Sequence, residues 1–336
     1  MKGAYQVKIK NSRNSYTFEL RRNITILRGE SGRGKTTLFE MIYEYNRFGK
    51  DSGVSVSCDK SIIALSGNDW EDVIEKNPGT IIVIDEDSQF IRSKEFAKVL
   101  RGSDNYFLLI TRNYLAELPI SVDEIYELNG AKHKKFKKVY QDIDRMFNNP
   151  SVRYLPFAPD IIITEDIKSG YQFFKTITDK LGIKCISADG KSNIYKVMNR
   201  YPDKNVVVIA DGAAFGAEIA DIVEQQTLRP RKLAIFLPES FEWLILKSGI
   251  VNKIDINQID HPEQYADSML YMSWEQYFTD LLIETTRESD YMKYNKSNLS
   301  DFYIQDKNVA DITKIAKGIK WQYRFCSKDE LNQRKE

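Results

Sequence analysis

A chain of 336 residues with 42% hydrophobic and 29% charged residues has the composition of an ordinary globular protein, with length for two or three domains. The net charge of +1 speaks neither for nor against nucleic acid, since a local basic patch can bind phosphate while the total stays balanced. Three scattered cysteines (Cys58, Cys185, Cys326) give no disulfide framework, and two histidines (His133, His261) nearly exclude a His-built zinc site. No apolar signal core opens the chain and no run reaches the length of a membrane span. A cytoplasmic protein with no membrane partner is therefore expected.

In chain order, Tyr5–Lys10 and Tyr16–Leu20 alternate apolar and polar around Asn11–Ser15, which predicts an antiparallel hairpin. The β-branched run Ile24–Leu27 follows. It gives out into Gly29-Glu30-Ser31-Gly32-Arg33-Gly34-Lys35-Thr36, and the next residues, Thr37 to Tyr43, carry apolar side chains at helical spacing. Strand, glycine loop and helix with the spacing G-x-x-x-x-G-K-T make a P-loop. Its backbone N–H groups turn in around phosphate oxygens, Lys35 reaches the β- and γ-phosphates, and the Thr36 hydroxyl falls on Mg²⁺. Residues Gly29 to Thr37 are thus the candidate contacts for ATP.

Further on, Ser61–Leu65 reads as a short buried strand and Glu71–Glu75 as a helix that stops at Asn77-Pro78-Gly79. The run Ile81–Ile84 ends in Asp85-Glu86-Asp87, as suits a central parallel strand whose carboxyl end lines a nucleotide crevice. Asp85 is placed in the Mg²⁺ shell and Glu86 on the attacking water. A helix over Ser93–Leu100 leads to the strand Tyr106–Ile110, which ends in Thr111-Arg112-Asn113. Glu124–Leu128 and Lys132–Tyr140 are read as a hairpin turning at Asn129-Gly130. Five of the seven residues Lys132–Lys138 are lysine. They stand either as a contact to nucleic-acid backbone or as a solvated edge strand guarded against aggregation.

The hairpin, GESGRGKT, IIVIDE, the strand ending in TRN, and EIYELNG together resemble the nucleotide-binding core of ABC-type ATPases, including their DNA-repair and defence branches. Only 50 positions separate Lys35 from Asp85, too few for that family's helical subdomain, and no signature motif lies there. Arg112 stands where the family carries a switch histidine. It is either a γ-phosphate sensor or a surface arginine.

The stretch NNPSVRYLPFAP (148–159) is read as a linker between an ATPase domain over 1–147 and a second α/β domain over 160–250. Strands are expected at Ile161–Ile163, Lys184–Ser187, Asn205–Ala210 and Lys232–Leu237, alternating with helices from Ser169 to Leu181, Ser192 to Asn199 and Ala217 to Gln226. Glu165 and Asp211 then sit at the ends of two strands of one doubly wound sheet. Either they converge on a divalent ion, Mg²⁺ or Mn²⁺ by the hardness of carboxylate oxygens, or they are two capping acids. Pro238–Leu246 is read as a helix beyond the sheet, and a helix beginning at Ser273 falls in a mostly helical extension over 251–336, with Trp274, Tyr277, Phe278, Leu281 and Leu282 on one apolar face expected to pack on the sheet.

TEDIKSG, SADGKSNI and IADGAAFG, in that order, resemble the Toprim fold of topoisomerases, primases and the OLD-family (overcoming lysogenization defect) nucleases. The resemblance implies that Glu165 and Asp211 are catalytic metal ligands. The second acid of the family's D-x-D pair is missing, since position 213 is Ala213, and Asp166 stands where glycine is usual; Glu218, Glu239 and Asp189 are candidates to replace that ligand. An ATPase core followed by a Toprim-like domain is the order of the OLD-type nucleases. It implies an ATP-gated, metal-dependent nuclease, self-associating and acting on nucleic acid in defence against foreign DNA. The alternative is an ATP-dependent switch with a catalytically reduced Toprim-like domain that regulates a partner protein.

Overall fold

A computed structural model describes residues 1–113, 115–135, 138–147, 157–229, 232–252 and 254–315. It is a mixed α/β protein in two compact units. Unit 1 comprises Met1–Asn148 and His261–Ser273, and unit 2 comprises Asn149–Asp260 and Trp274–Glu336. The helical extension expected over 251–336 is therefore divided, because His261–Ser273 packs with unit 1. The Gly3 N–H donates to the Glu263 carbonyl (2.6 Å), and the Asn23 amide donates to that of Met272 (2.9 Å). Most of the expected linker, residues 148–156, lies outside the described residues.

In unit 1, β1 (Tyr5–Lys10) and β2 (Asn14–Leu20) form the expected hairpin, with Tyr5 opposite Leu20. Next come β3 (Ile24–Arg28) and α1 (Lys35–Phe48), which buries Leu38, Met41 and Ile42 at helical spacing. The chain continues through β4 (Ser55–Ser57), β5 (Ile62–Leu65), α2 (Trp70–Lys76), β6 (Ile81–Ile84), α3 (Lys94–Leu100) and β7 (Tyr106–Ile110). Strands β8 (Ile125–Lys135) and β9 (Lys138–Arg145) complete a nine-stranded sheet of order β4-β1-β2-β9-β8-β3-β7-β6-β5. From β8 to β5 all neighbours run parallel. Strands β3, β6 and β7 are buried on both faces, so polar chemistry can appear only at their ends.

Asn129-Gly130 is not the turn of the β8–β9 hairpin. Both residues lie inside β8, where the register slips between Asn129 and His133, so the glycine serves an irregularity rather than a reversal. The connection falls at 136–137, outside the described residues, as do the side chains of the lysine run 132–138.

Unit 2 holds β10 (Ile161–Thr164), α4 (Ser169–Lys180), β11 (Lys184–Ser187), α5 (Ile194–Met198), β12 (Val206–Ile209), α6 (Ile219–Leu228) and β13 (Leu233–Phe236). The strands form one parallel sheet of order β11-β10-β12-β13, with Ile161 level with both Lys184 and Val206. From β10 the chain steps outward to β11 and then crosses back to β12. The order reverses between β10 and β12, and a crevice opens at their carboxyl ends.

Helix α7 (Phe241–Ser248) starts later than the proline suggests. Pro238 stays outside, its carbonyl accepting from Gly212 N–H (2.6 Å), and Ser240 caps the helix by accepting from Trp243 N–H (3.1 Å). Gly212 is required there, since a Cβ would lie 3.0 Å from the carbonyls of both Leu237 and Pro238. The unit ends in α8 (Ile256–Asp260), α9 (Trp274–Thr286) and α10 (Asp306–Ile315). Helix α9 buries Trp274, Tyr277, Phe278 and Leu282 and packs, like α10, on α7.

Ser240→Ala removes a buried cap and is expected to cost about 1 kcal/mol. Urea unfolding should show a lower midpoint at unchanged slope.

Candidate functional site

At the end of β3, Gly29, Gly32 and Gly34 adopt φ values of 138°, 77° and 102°, the left-handed region open to glycine. Gly34 is doubly constrained, because a Cβ there would stand 2.9 Å from the Tyr16 hydroxyl, which donates to the Gly34 carbonyl. The loop wraps the Lys35 ammonium, which donates to the carbonyls of Gly29 (2.6 Å) and Glu30 (3.0 Å). Lys35 is buried, and burial lowers its pKa, joined by Arg112 and opposed by Glu86 and Asp85. Thr36 is exposed on the first turn of α1 and Thr37 is half-buried. Glu30 and Arg33 pair with each other at the surface (3.0 Å).

Two further strand ends reach this loop. Asp85, just past β6, accepts from the Glu86 N–H (2.8 Å), and its carboxyl is raised above the ordinary range by burial and by the neighbouring acids Asp87 and Glu86. Arg112, just past β7, donates to the Ser31 hydroxyl (2.7 Å) and places Nε 3.3 Å from Glu86 Oε2. Because β7 lies between β3 and β6, its terminal arginine spans the loop on one side and the acid pair on the other. Arg112 is exposed and bridges the loop and the acid.

The second constellation lies wholly in unit 2. Glu165 follows β10 and Asp211 follows β12, at the point where the strand order reverses. Asp211 N–H donates to Glu165 Oε2 (3.2 Å), and Phe241 N–H donates to Asp211 Oδ1 (3.1 Å). Both acids line a cavity of about 30 Å³, space for one or two water-sized particles. Glu242 and Lys296 line it too. The Lys296 ammonium lies 2.8 Å from Glu275 Oε1 and 3.5 Å from Glu242 Oε1, and Tyr294 donates to Glu242 Oε1 (2.6 Å).

Ala213 is buried, its N–H donating to the Glu239 carbonyl (3.1 Å), so its side chain supplies nothing to the acids. Glu218 lies 3.7 Å from Lys191, whose ammonium donates to the Ala214 carbonyl (2.7 Å). Asp189 is exposed, and Asp166 caps its own loop by accepting from Lys168 N–H (2.9 Å). Among the described residues no three His, Cys, Asp or Glu side chains converge in a geometry that could hold a metal.

The acids that crowd Asp211 are Glu275, Glu165 and Glu242; Glu275 and Glu242, with Lys296, were not legible as site residues. A signal existed for Glu242, a lone charge in the apolar run Phe241–Leu246. Glu275 and Lys296 left none, being ordinary charges on a helix start and in a loop.

No helix among the described residues is long and apolar enough to cross a membrane. No family model matches the chain. It is 26% identical over 145 residues to a type III pantothenate kinase of Elusimicrobium minutum, a stretch covering 42% of this chain and 53% of that protein. The chain thus spans about half the length of the curated relative it matches.

Burial first, then the Glu275 charge, pushes the Glu165 carboxyl up from 4.5 to about 7. Burial, Glu275, Glu165 and Glu242 drive Asp211 upward as well. For Glu165 the folded state binds more protons than the unfolded one between pH 4.5 and about 7. Its contribution to stability therefore falls as pH rises through that window and is level above it. Thermal unfolding against pH should show a shallower decline for Glu165→Gln, with a residual slope of the same sign from Asp211.

Proposed function

We propose that the chain binds ATP through its glycine loop, hydrolyses it slowly as an ABC-type P-loop ATPase, and couples nucleotide state to the Toprim-like pocket of unit 2. The observation that carries this reading is the convergence of Lys35, Asp85, Glu86 and Arg112 on the loop from three adjacent parallel strands. The glycine conformations would let N–H groups turn toward phosphate oxygens, and the start of α1 would add its dipole. Lys35 and Arg112 provide the positive charge that a triphosphate needs.

The donor set also fits Mg²⁺. Thr36 and Asp85 offer a hydroxyl and a carboxylate, the hard oxygens that this ion takes alongside phosphate and water. Bound there, the ion would neutralise charge on the phosphates. Glu86 would hold a water and accept its proton, with Arg112 setting the carboxylate's orientation. The matched kinase agrees with nucleotide use without specifying the reaction.

Two readings of unit 2 remain. As a metal-dependent nuclease of the OLD type acting on foreign DNA, it would use Glu165 and Asp211 as ligands of Mg²⁺ or Mn²⁺. As a reduced domain, it would pass nucleotide state to a partner protein without cutting. The second is favoured by Lys296, an ammonium among the acids, and by Ala213, whose buried methyl offers no ligand. The residues present do not fit a two-metal centre.

Lys35→Ala should abolish or weaken ATP binding at least tenfold in calorimetry; equal affinity in both proteins would remove the P-loop assignment. Glu86→Gln should retain ATP while turnover falls roughly a hundredfold, the scale of a positioned acid–base group. For unit 2 the assay is cleavage of plasmid and single-stranded nucleic acid with Mg²⁺ or Mn²⁺, with and without ATP. Cleavage lost in both Asp211→Ala and Glu165→Ala would restore the nuclease reading.

A further inference from the structure

Gly34 is the N-cap of α1, at φ 102° and ψ 13°, and it has no side chain to fix it there. Glycine leaves such a conformation at little cost, so whatever anchors its peptide decides where the next N–H points. The Gly34 carbonyl accepts from Leu38 N–H (3.0 Å), the first hydrogen bond of the helix, and from the Tyr16 hydroxyl (2.9 Å). Because the peptide is trans, the Lys35 N–H points opposite to that carbonyl, out of the helix start. It belongs to the first N–H groups of the helix, which find no partner within it.

Tyr16 is rigidly placed for this contact. It is fully buried in β2 and level with Gln141 of β9 in a parallel pair, so both side chains leave the sheet on the same face. A Cβ at Gly34 would meet the Tyr16 hydroxyl at 2.9 Å, Gln141 Nε2 at 3.1 Å and Leu128 Cδ2 at 3.5 Å. The adjacent strands β2, β9 and β8 thus close together on this one residue. Burial pushes the Tyr16 phenol up to about 12, which keeps the hydroxyl a donor across the neutral range. A buried hydroxyl without an acceptor is costly, and Gly34 supplies the acceptor.

We propose that Tyr16 is a positioning residue of the nucleotide site: by tying the Gly34 carbonyl to the sheet, its hydroxyl keeps the Lys35 N–H aimed at the phosphates. The proposal rests on the nucleotide reading of unit 1 and adds to it a residue outside the glycine loop. Tyr16 acts through Gly34, so its effect falls on phosphate recognition.

The test is ATP binding by the full chain with Mg²⁺, followed by calorimetry and by phosphorus magnetic resonance of the bound nucleotide. Tyr16→Phe removes one oxygen and keeps the ring. It should weaken ATP binding about three- to tenfold, the scale of one hydrogen bond, and shift the β-phosphate resonance from its wild-type position. Tyr106→Phe is the control. The Tyr106 hydroxyl is also buried and donates to the Gly3 carbonyl (3.0 Å), at the end of β7 away from Arg112. That variant should lose a similar amount of thermal stability while its ATP affinity and phosphorus spectrum stay as in wild type. Equal ATP affinity in wild type and Tyr16→Phe would overturn the proposal, whatever happens to stability. So would an equal loss of affinity in both tyrosine variants, the mark of a general softening of unit 1. A wild type that binds no ATP would overturn the nucleotide reading itself, and the role of Tyr16 with it.

Discussion

Short parallel strands buried on both faces leave a chain only one place to do polar work. Strands β6, β10, β12 and β13 are four residues each and buried throughout, so every charge that matters must wait for the strand to end. Ladder hydrogen bonds fix the register of those ends. Ile84 lies level with Leu109 and Thr164 with Ile209, so Glu86 is brought beside Arg112 and Glu165 beside Asp211 without a loop having to search for its partner. Both constellations are consequences of strand pairing before they are consequences of any side chain's chemistry.

The units differ in how they treat buried charge. In unit 1, Glu124 is fully buried but sits between Arg21 (2.8 Å) and Arg22 (3.4 Å), a neutralised set with structural character. The glycine loop likewise meets its charges with opposite charge or dipole, Arg112 against Glu86 and Lys35 against its own loop carbonyls. In the unit 2 pocket the acids outnumber the cation, and burial together with their mutual repulsion pushes the Glu165 and Asp211 carboxyls upward.

Local signals carried much of this architecture. The glycine loop, its flanking strand and helix, and the strands before Asp85, Glu165 and Asp211 all announce themselves within ten residues or so, because periodicity and turn chemistry act at that range. Reading failed where local cues competed. Asn129-Gly130 is a strong hairpin dipeptide, yet the ladder to β9 carried β8 through it. Pro238 is a good helix opener, yet the loop around Gly212 claimed its carbonyl and left the start of α7 to Ser240. Partners separated by long stretches of chain were invisible in principle. Lys296 reaches Glu242 and Glu275 only after α7 and α9 have packed, and no spacing rule encodes that meeting.

The return of His261–Ser273 to unit 1 bears on how the chain comes to be folded. A ribosome delivers residues in order, and a domain made of consecutive sequence can close as soon as its last strand has emerged. Unit 1 cannot. Its first 148 residues must wait for a segment more than a hundred positions further on, with most of unit 2 synthesised in between. Asn23 and Gly3 receive their carbonyl partners, Met272 and Glu263, from a segment made long after them. Unit 1 therefore matures late, and a fragment ending at the apparent domain boundary lacks a part of its own body.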